Sequence, residues 1–155
     1  MTSLQPLVAL LAQSERQRDL ALADHMKAQN LRDAAQTQAE QLVVYRREYE
    51  QRWSTQFCRE GRMELVRCYQ GFMERLTQAV EQQVRIAASL GEQAEQAGAT
   101  LRQREQQLAA VRKLIERRLA EDRVAGLRQE QKQSDELAAR IAWASRSATG
   151  RPNLL

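Results

Sequence analysis

Tyr45, Tyr49, Trp53 and Phe57 recur at steps of four, and Tyr69 and Phe72 follow just after Gly61. The chemistry such side chains offer is recognition through large apolar area. Steps of four place side chains on neighbouring positions of one helical face. The ladder drifts by about 40° per step, because a helical turn holds 3.6 residues, so its four rungs wrap across about 120°. A seam between two helices is narrower than that. Part of this surface is expected to stay exposed, and exposed aromatic patches mark partner sites. The competing reading makes the same residues large core side chains at the tip of a helical hairpin. The sequence leaves both open, most evenly for Tyr45 and Tyr69.

Other chemistries find less support. Cys58 and Cys68 match no metal-binding spacing, and His25, the single histidine, cannot complete a zinc site with them. They read as free thiols near a hairpin end. There is no glycine-rich phosphate loop, no nucleophile with a histidine at hand, and no carboxylate pair in a plausible pocket. The expectation is a binder without a cofactor, not an enzyme. The net charge of +4 comes from 24 basic and 20 acidic side chains, with the surplus in the second half. Arg102, Arg104, Arg112, Lys113, Arg117, Arg118 and Arg123 could face phosphate or anionic lipid. Glu105, Glu116 and Glu121 interrupt them, which fits a solvated helical face better than a nucleic-acid stripe.

The elements that must position these residues follow from composition and period. Glutamine, glutamate, arginine, alanine and leucine dominate, as in coiled coils and long helices. Pro6 and Pro152 are the only prolines, so nothing between them forbids helix. No apolar run approaches the roughly 20 residues of a membrane span, and the first residues lack the features of a signal peptide. A cytosolic chain is expected.

A heptad from Leu7 gives a positions Leu7, Ser14, Ala21, Ala28, Ala35, Leu42 and Tyr49 and d positions Leu10, Gln17, Asp24, Leu31, Gln38, Tyr45 and Arg52, weak between residues 14 and 24. After Gly61, Leu65, Phe72, Ala79 and Ile86 form one line and Tyr69, Leu76, Gln83 and Leu90 another. Folding the chain back near residue 59 brings Tyr49 to Tyr69, Tyr45 to Phe72, Leu42 to Leu76, Gln38 to Ala79, and Leu7 to Val111. The predicted fold class is all-α, a long antiparallel two-helix coiled coil (an α-hairpin) with helix two overhanging. It comprises residues 1–146, with helices 3–57 and 62–146 joined by a turn at 58–61, and a disordered tail at 147–155. Thr2 or Ser3 caps the first helix. Gly91, Gly98 and Ala99 mark a soft middle, and Ile86, Ala97, Leu108 and Leu119, spaced by elevens, are the mark of a stutter. At about 125 Å against 80 Å, helix two leaves Leu114, Ile115, Leu119, Leu127, Leu137, Ile141 and Trp143 without an intramolecular mate.

Residues 1–140 resemble the FliJ family of the bacterial flagellar protein-export apparatus. The likeness rests on the segments Leu42 to Tyr49 (LVVYRREY) and Tyr69 to Leu76 (YQGFMERL), then Ala79, Val80 to Val84, Lys113 to Arg118, and Arg128 to Lys132 through Glu136. Length and the central glycine break agree. The resemblance implies an antiparallel coiled coil similar to the central stalk of rotary ATPases. Its implied partners are the export ATPase FliI, the ATPase regulator FliH, the export-gate protein FlhA and export chaperones. The implied location is cytoplasmic and peripheral at the inner membrane, held there through the gate alone, and the chain is expected to be monomeric by itself. Carried onto this sequence, the gate contact falls on Gln38, Leu42, Tyr45, Tyr49, Phe72, Leu76 and Ala79. Gln83 extends that line, where the family more often carries histidine. For the ATPase, analogy with the stalk points to the unpaired end of helix two, with Leu114, Ile115, Arg117, Arg118, Leu119 and Leu127. The alternatives are a generic coiled-coil scaffold or self-associating spacer, a stalk protein of a virulence-type secretion system, and a nucleic-acid or anionic-membrane binder.

Overall fold

Between Pro6 and Pro152 every residue can donate a backbone hydrogen bond, and glycine, which weakens helix, is sparse. The computed structural model accordingly has two helices and describes residues 4–60 and 62–150, with the side chains of all but 57–60. Helix α1 runs over Gln5–Glu60 and α2 over Met63–Thr149, 56 and 87 residues respectively. Pro6 sits in the first turn of α1, where its missing N–H costs no helical bond. The cap at Thr2 or Ser3, the break at Gly61, the side chains of Phe57 and Cys58, and the tail from Arg151 lie outside the described residues.

The two helices pair antiparallel, and the architecture is the all-α hairpin coiled coil that the sequence predicts. Its register differs from that expectation by about one helical turn. Tyr49 stacks on Phe72 at 4.7 Å and Trp53 on Tyr69 at 5.4 Å. Gln83 bonds Gln38, and Arg104 bonds Gln17. The chain midpoint of Tyr49 and Phe72, of Gln38 and Gln83, and of Gln17 and Arg104 is the same, 60.5. The physical reason is that α1 keeps its helical bonds through Glu60 and α2 starts at Met63, which moves the pivot past residue 59.

On α1 the a positions from Leu7 to Tyr49 are all buried or half-buried, as expected, but the second line of the seam is not d. Residues four after each a position are covered: Arg18, His25, Arg32, Ala39, Arg46 and Trp53 are all buried or half-buried. The d residues Asp24, Leu31, Gln38, Tyr45 and Arg52 are exposed. On α2 the line Tyr69, Leu76, Gln83, Leu90, Ala97 and Arg104 is covered without a break, and so is Val66, Met73, Val80, Ala87, Ala94, Leu101 and Leu108. These lines keep a strict seven-residue repeat across the expected stutter. Ile86, assigned to the seam by sequence, is 41% exposed.

Two compact units divide the chain. One covers residues 12–108. In its middle Ala94 is 2% exposed and Gly98 is buried. Small residues permit close approach of the backbones, and the small α1 residues Ser14 and Ala21 bracket Gln17 at the level where Leu101 and Leu108 bracket Arg104. Burying a leucine such as Leu108 stabilises the fold by about 1.5–3 kcal/mol. Arg18–Asp19 and Arg32–Asp33 each pair a half-buried arginine with its exposed neighbour on the same helix, and such surface pairs contribute about 0–1 kcal/mol. Packing holds this unit together. The other unit holds residues up to Leu11 and from Ala109 onward. Leu4, Leu7, Leu11, Val111, Ile115 and Arg118 are half-buried there, and every described residue from Leu119 on is exposed. The overhang begins where the two seam lines of α2 become charged, at Arg118 and Asp122.

Candidate partner-binding site

The four-step ladder is present as a stack along α1. Tyr45 lies 5.3 Å from Tyr49, and Tyr49 lies 6.2 Å from Trp53, with ring planes tilted by 48° and 40°. Helix α2 adds Phe72 against Tyr49 and Tyr69 against Trp53. These centroid distances fall in the favourable tilted range, where each pair contributes about 0.5–1.5 kcal/mol beyond its buried area. Tyr49 is the hub with three ring neighbours and is half-buried, whereas Tyr45 remains 44% exposed. Core and surface are therefore divided along the ladder, with Tyr49 in the seam and Tyr45 at its open edge.

The residues matched to a gate contact divide the same way. Gln38 and Tyr45 are exposed, Leu42, Tyr49, Phe72, Ala79 and Gln83 are half-buried, and Leu76 is buried. Gln83 joins two elements of this patch. Its side-chain amide donates to the Gln38 carbonyl oxygen at 3.1 Å and to the Ala35 backbone oxygen at 3.4 Å. Tyr45, Gln38 and the edge of Phe72 can accept apolar and hydrogen-bonding groups from a partner. Among the described residues no group of histidine, cysteine and carboxylate side chains could hold a metal ion. Cys68 is an exposed free thiol.

On α2, Leu114, Arg117, Leu119 and Leu127 are exposed, while Ile115 and Arg118 are half-buried. Further along, Leu137, Ile141 and Trp143 are 60%, 63% and 75% exposed.

Sequence reasoning missed a second surface. An apolar trough of about 610 Å³ lies between the helices, walled by Val43, Val44, Val84, Ala87 and Ala88. The adjacent valines and the pair Ala87-Ala88 before Gly91 were its signal, concealed because the a/d assignment put Val43 and Val44 outside the seam.

The sequence profile of the flagellar FliJ protein matches residues 2–147. No curated protein and no solved structure matches the chain. Among the described residues no helix is long and apolar enough to cross a membrane.

Proposed function

This chain belongs to the flagellar FliJ protein family, components of the flagellar protein-export apparatus rather than enzymes, and we propose that it acts there as a stalk and adaptor. In this reading it promotes assembly of the export ATPase ring of FliI, together with FliH, and links the ring to the export gate FlhA. It also escorts export chaperones. Its place is cytoplasmic, peripheral at the inner membrane through the gate. The gate contact uses Gln38, Leu42, Tyr45, Tyr49, Phe72, Leu76, Ala79 and Gln83. The ATPase contact spans the last paired turn of α2 and the start of the overhang, with exposed Leu114, Arg117, Leu119 and Leu127 supported by Ile115 and Arg118.

The observation that carries this reading is the exposed edge of the aromatic stack. Tyr45 is held against Tyr49 yet leaves 44% of its surface open, the condition of a preorganised anchor. Anchored aromatics supply much of the energy of protein interfaces, often 2 kcal/mol or more each. For the ATPase contact the support is the run of apolar residues beyond Arg118, which nothing in the chain covers among the described residues.

Purified chain, titrated separately against the export ATPase and the gate cytoplasmic domain, tests the proposal. Binding to both and stimulation of ATPase activity are the expected results. Binding to neither would leave the chain a coiled-coil scaffold of the apparatus with other partners.

A further inference from the structure

The trough between Val43 and Val84 faces away from the aromatic edge. Residues two apart on a helix point about 160° apart, which separates Val43 from Tyr45 on α1 and Val84 from Ile86 on α2. Its walls are open to solvent, with Val44 at 52% and Val84 at 49% exposure, over buried Ala39 at its base. One end is closed by Arg32, whose Cδ lies 3.9 Å from where a β-carbon on Gly91 would stand, and whose guanidinium is held by Asp33 at 3.0 Å. Nearer the hairpin tip lies a second hollow, lined by Tyr69 and Met73 together with Glu50, Glu74 and Glu81. Glu40 stands on the trough itself. Of the basic residues only Arg32 lines either hollow, and it is paired with Asp33, so the four carboxylates leave the lining acidic.

We propose that this trough is a docking surface for an α-helix of another protein, one whose apolar stripe is flanked by lysine or arginine. Its shape selects a helix. Two antiparallel helices present a shallow channel, and only small residues at its centre let a third axis approach to the 8–10 Å of packed helices. Ala39, Ala87, Ala88 and Gly91 supply that clearance, and the valines take side chains spaced i, i+3/i+4, i+7 on the incoming helix. From Ala39 to Glu50 the channel accommodates about three turns. Charge selects the flanks, because the surplus of carboxylate at the tip end complements basic side chains and repels acidic ones. The surface is separate from the gate contact proposed above and stands whether or not that contact is made. It leaves the aromatic edge free, so two partners fit the hairpin at once.

The probe is a fluorescein-labelled 18-residue peptide with leucine and alanine at heptad core positions and lysine on the flanks, compared with a twin carrying glutamate on the flanks. Fluorescence anisotropy with the full chain should show the lysine peptide binding at least tenfold tighter than its twin. Ala88→Arg, on an exposed helical position, should weaken the lysine peptide at least tenfold with unchanged helicity. Glu74→Gln with Glu81→Gln should weaken it and flatten its salt dependence, whereas Tyr45→Ala should leave it within twofold. No binding, equal binding of the twin, indifference to Ala88→Arg, or loss through Tyr45→Ala would each overturn the proposal. A chain that dimerises, with the dimer lost on Ala88→Arg, would assign the trough to a second copy and overturn it as well.

Discussion

The imidazole of His25 covers Gly98: a β-carbon on Gly98 would stand 3.0 Å from His25 Cε1 and 3.4 Å from Nδ1. His25 Nδ1 is buried there without a hydrogen-bond partner. The contact lies just past residues 14–24, where the heptad reads weakest, and the ring takes up space that a β-carbon on Gly98 would occupy. Glycine at this point is a packing residue.

This relationship separates two glycines that look alike in sequence. Glycine in a helix interior costs about 0.5–1 kcal/mol relative to alanine. At Gly91 a β-carbon meets only Arg32 Cδ, at 3.9 Å, so Gly91→Ala should stabilise the fold by about that amount. Gly98→Ala has the same intrinsic gain but must displace the His25 ring, and it should gain less or destabilise. In a His25→Ala background, Gly98→Ala should recover the full gain. Urea unfolding of the three single variants and the two doubles with His25→Ala checks this, and equal effects at both glycines in both backgrounds would remove the packing role.

The tight middle gives a second outcome. Ala94 is 2% exposed whereas Ala88 is exposed. Ala94→Leu should cost about 1–3 kcal/mol through overpacking, and Ala88→Leu should change stability by less than about 0.5 kcal/mol. Denaturant midpoints decide between this packing and a loose seam, in which both variants would be tolerated.

The division of the aromatic stack predicts different consequences for adjacent rungs. Tyr49→Ala removes three ring contacts and should destabilise by about 1–3 kcal/mol, below the cost of a fully buried aromatic. Tyr45→Ala should cost less than about 1 kcal/mol, since the side chain has one ring neighbour and an open edge. Thermal unfolding followed by circular dichroism at 222 nm measures both.

For the overhang, truncation after Arg118 deletes no buried or half-buried described residue. The unfolding midpoint should therefore stay unchanged while stimulation of the export ATPase falls. Amides beyond Leu119 should exchange with solvent far faster than those of Ala94 to Leu108, because an unpacked helix opens at low cost. ATPase stimulation by the truncated chain equal to that of the full chain would show that Leu119, Leu127 and the residues beyond them take no part in the contact.

Fold class was legible because long-range period and proline placement are properties of whole helices. Antiparallel pairing followed from one pivot aligning hydrophobic residues at both ends. Register was not legible to better than one turn, since a glycine marks a break but not how many residues each helix keeps beside it. That difference exchanged Tyr69 for Phe72 as the partner of Tyr49. On α1 the a positions are covered as expected and the d positions, Gln17 aside, are not, for a related reason. Leucine and tyrosine at positions 31 and 45 outweigh alanine at 39 in any hydrophobic count, yet the closely spaced helices bury Ala39 and leave Leu31 and Tyr45 outside. Small residues carry the seam where the helices approach closely, and their burial shows in three dimensions before it shows in composition.

The most direct test of the account is the affinity of the export-gate cytoplasmic domain for the full chain and for Tyr45→Ala, measured by isothermal titration with circular dichroism on the same samples. The account predicts at least a tenfold loss of affinity, about 1.4 kcal/mol, with helicity and unfolding midpoint nearly unchanged. Unaltered affinity in the folded variant would contradict it, and the exposed edge of Tyr45 would then belong to the hairpin tip alone.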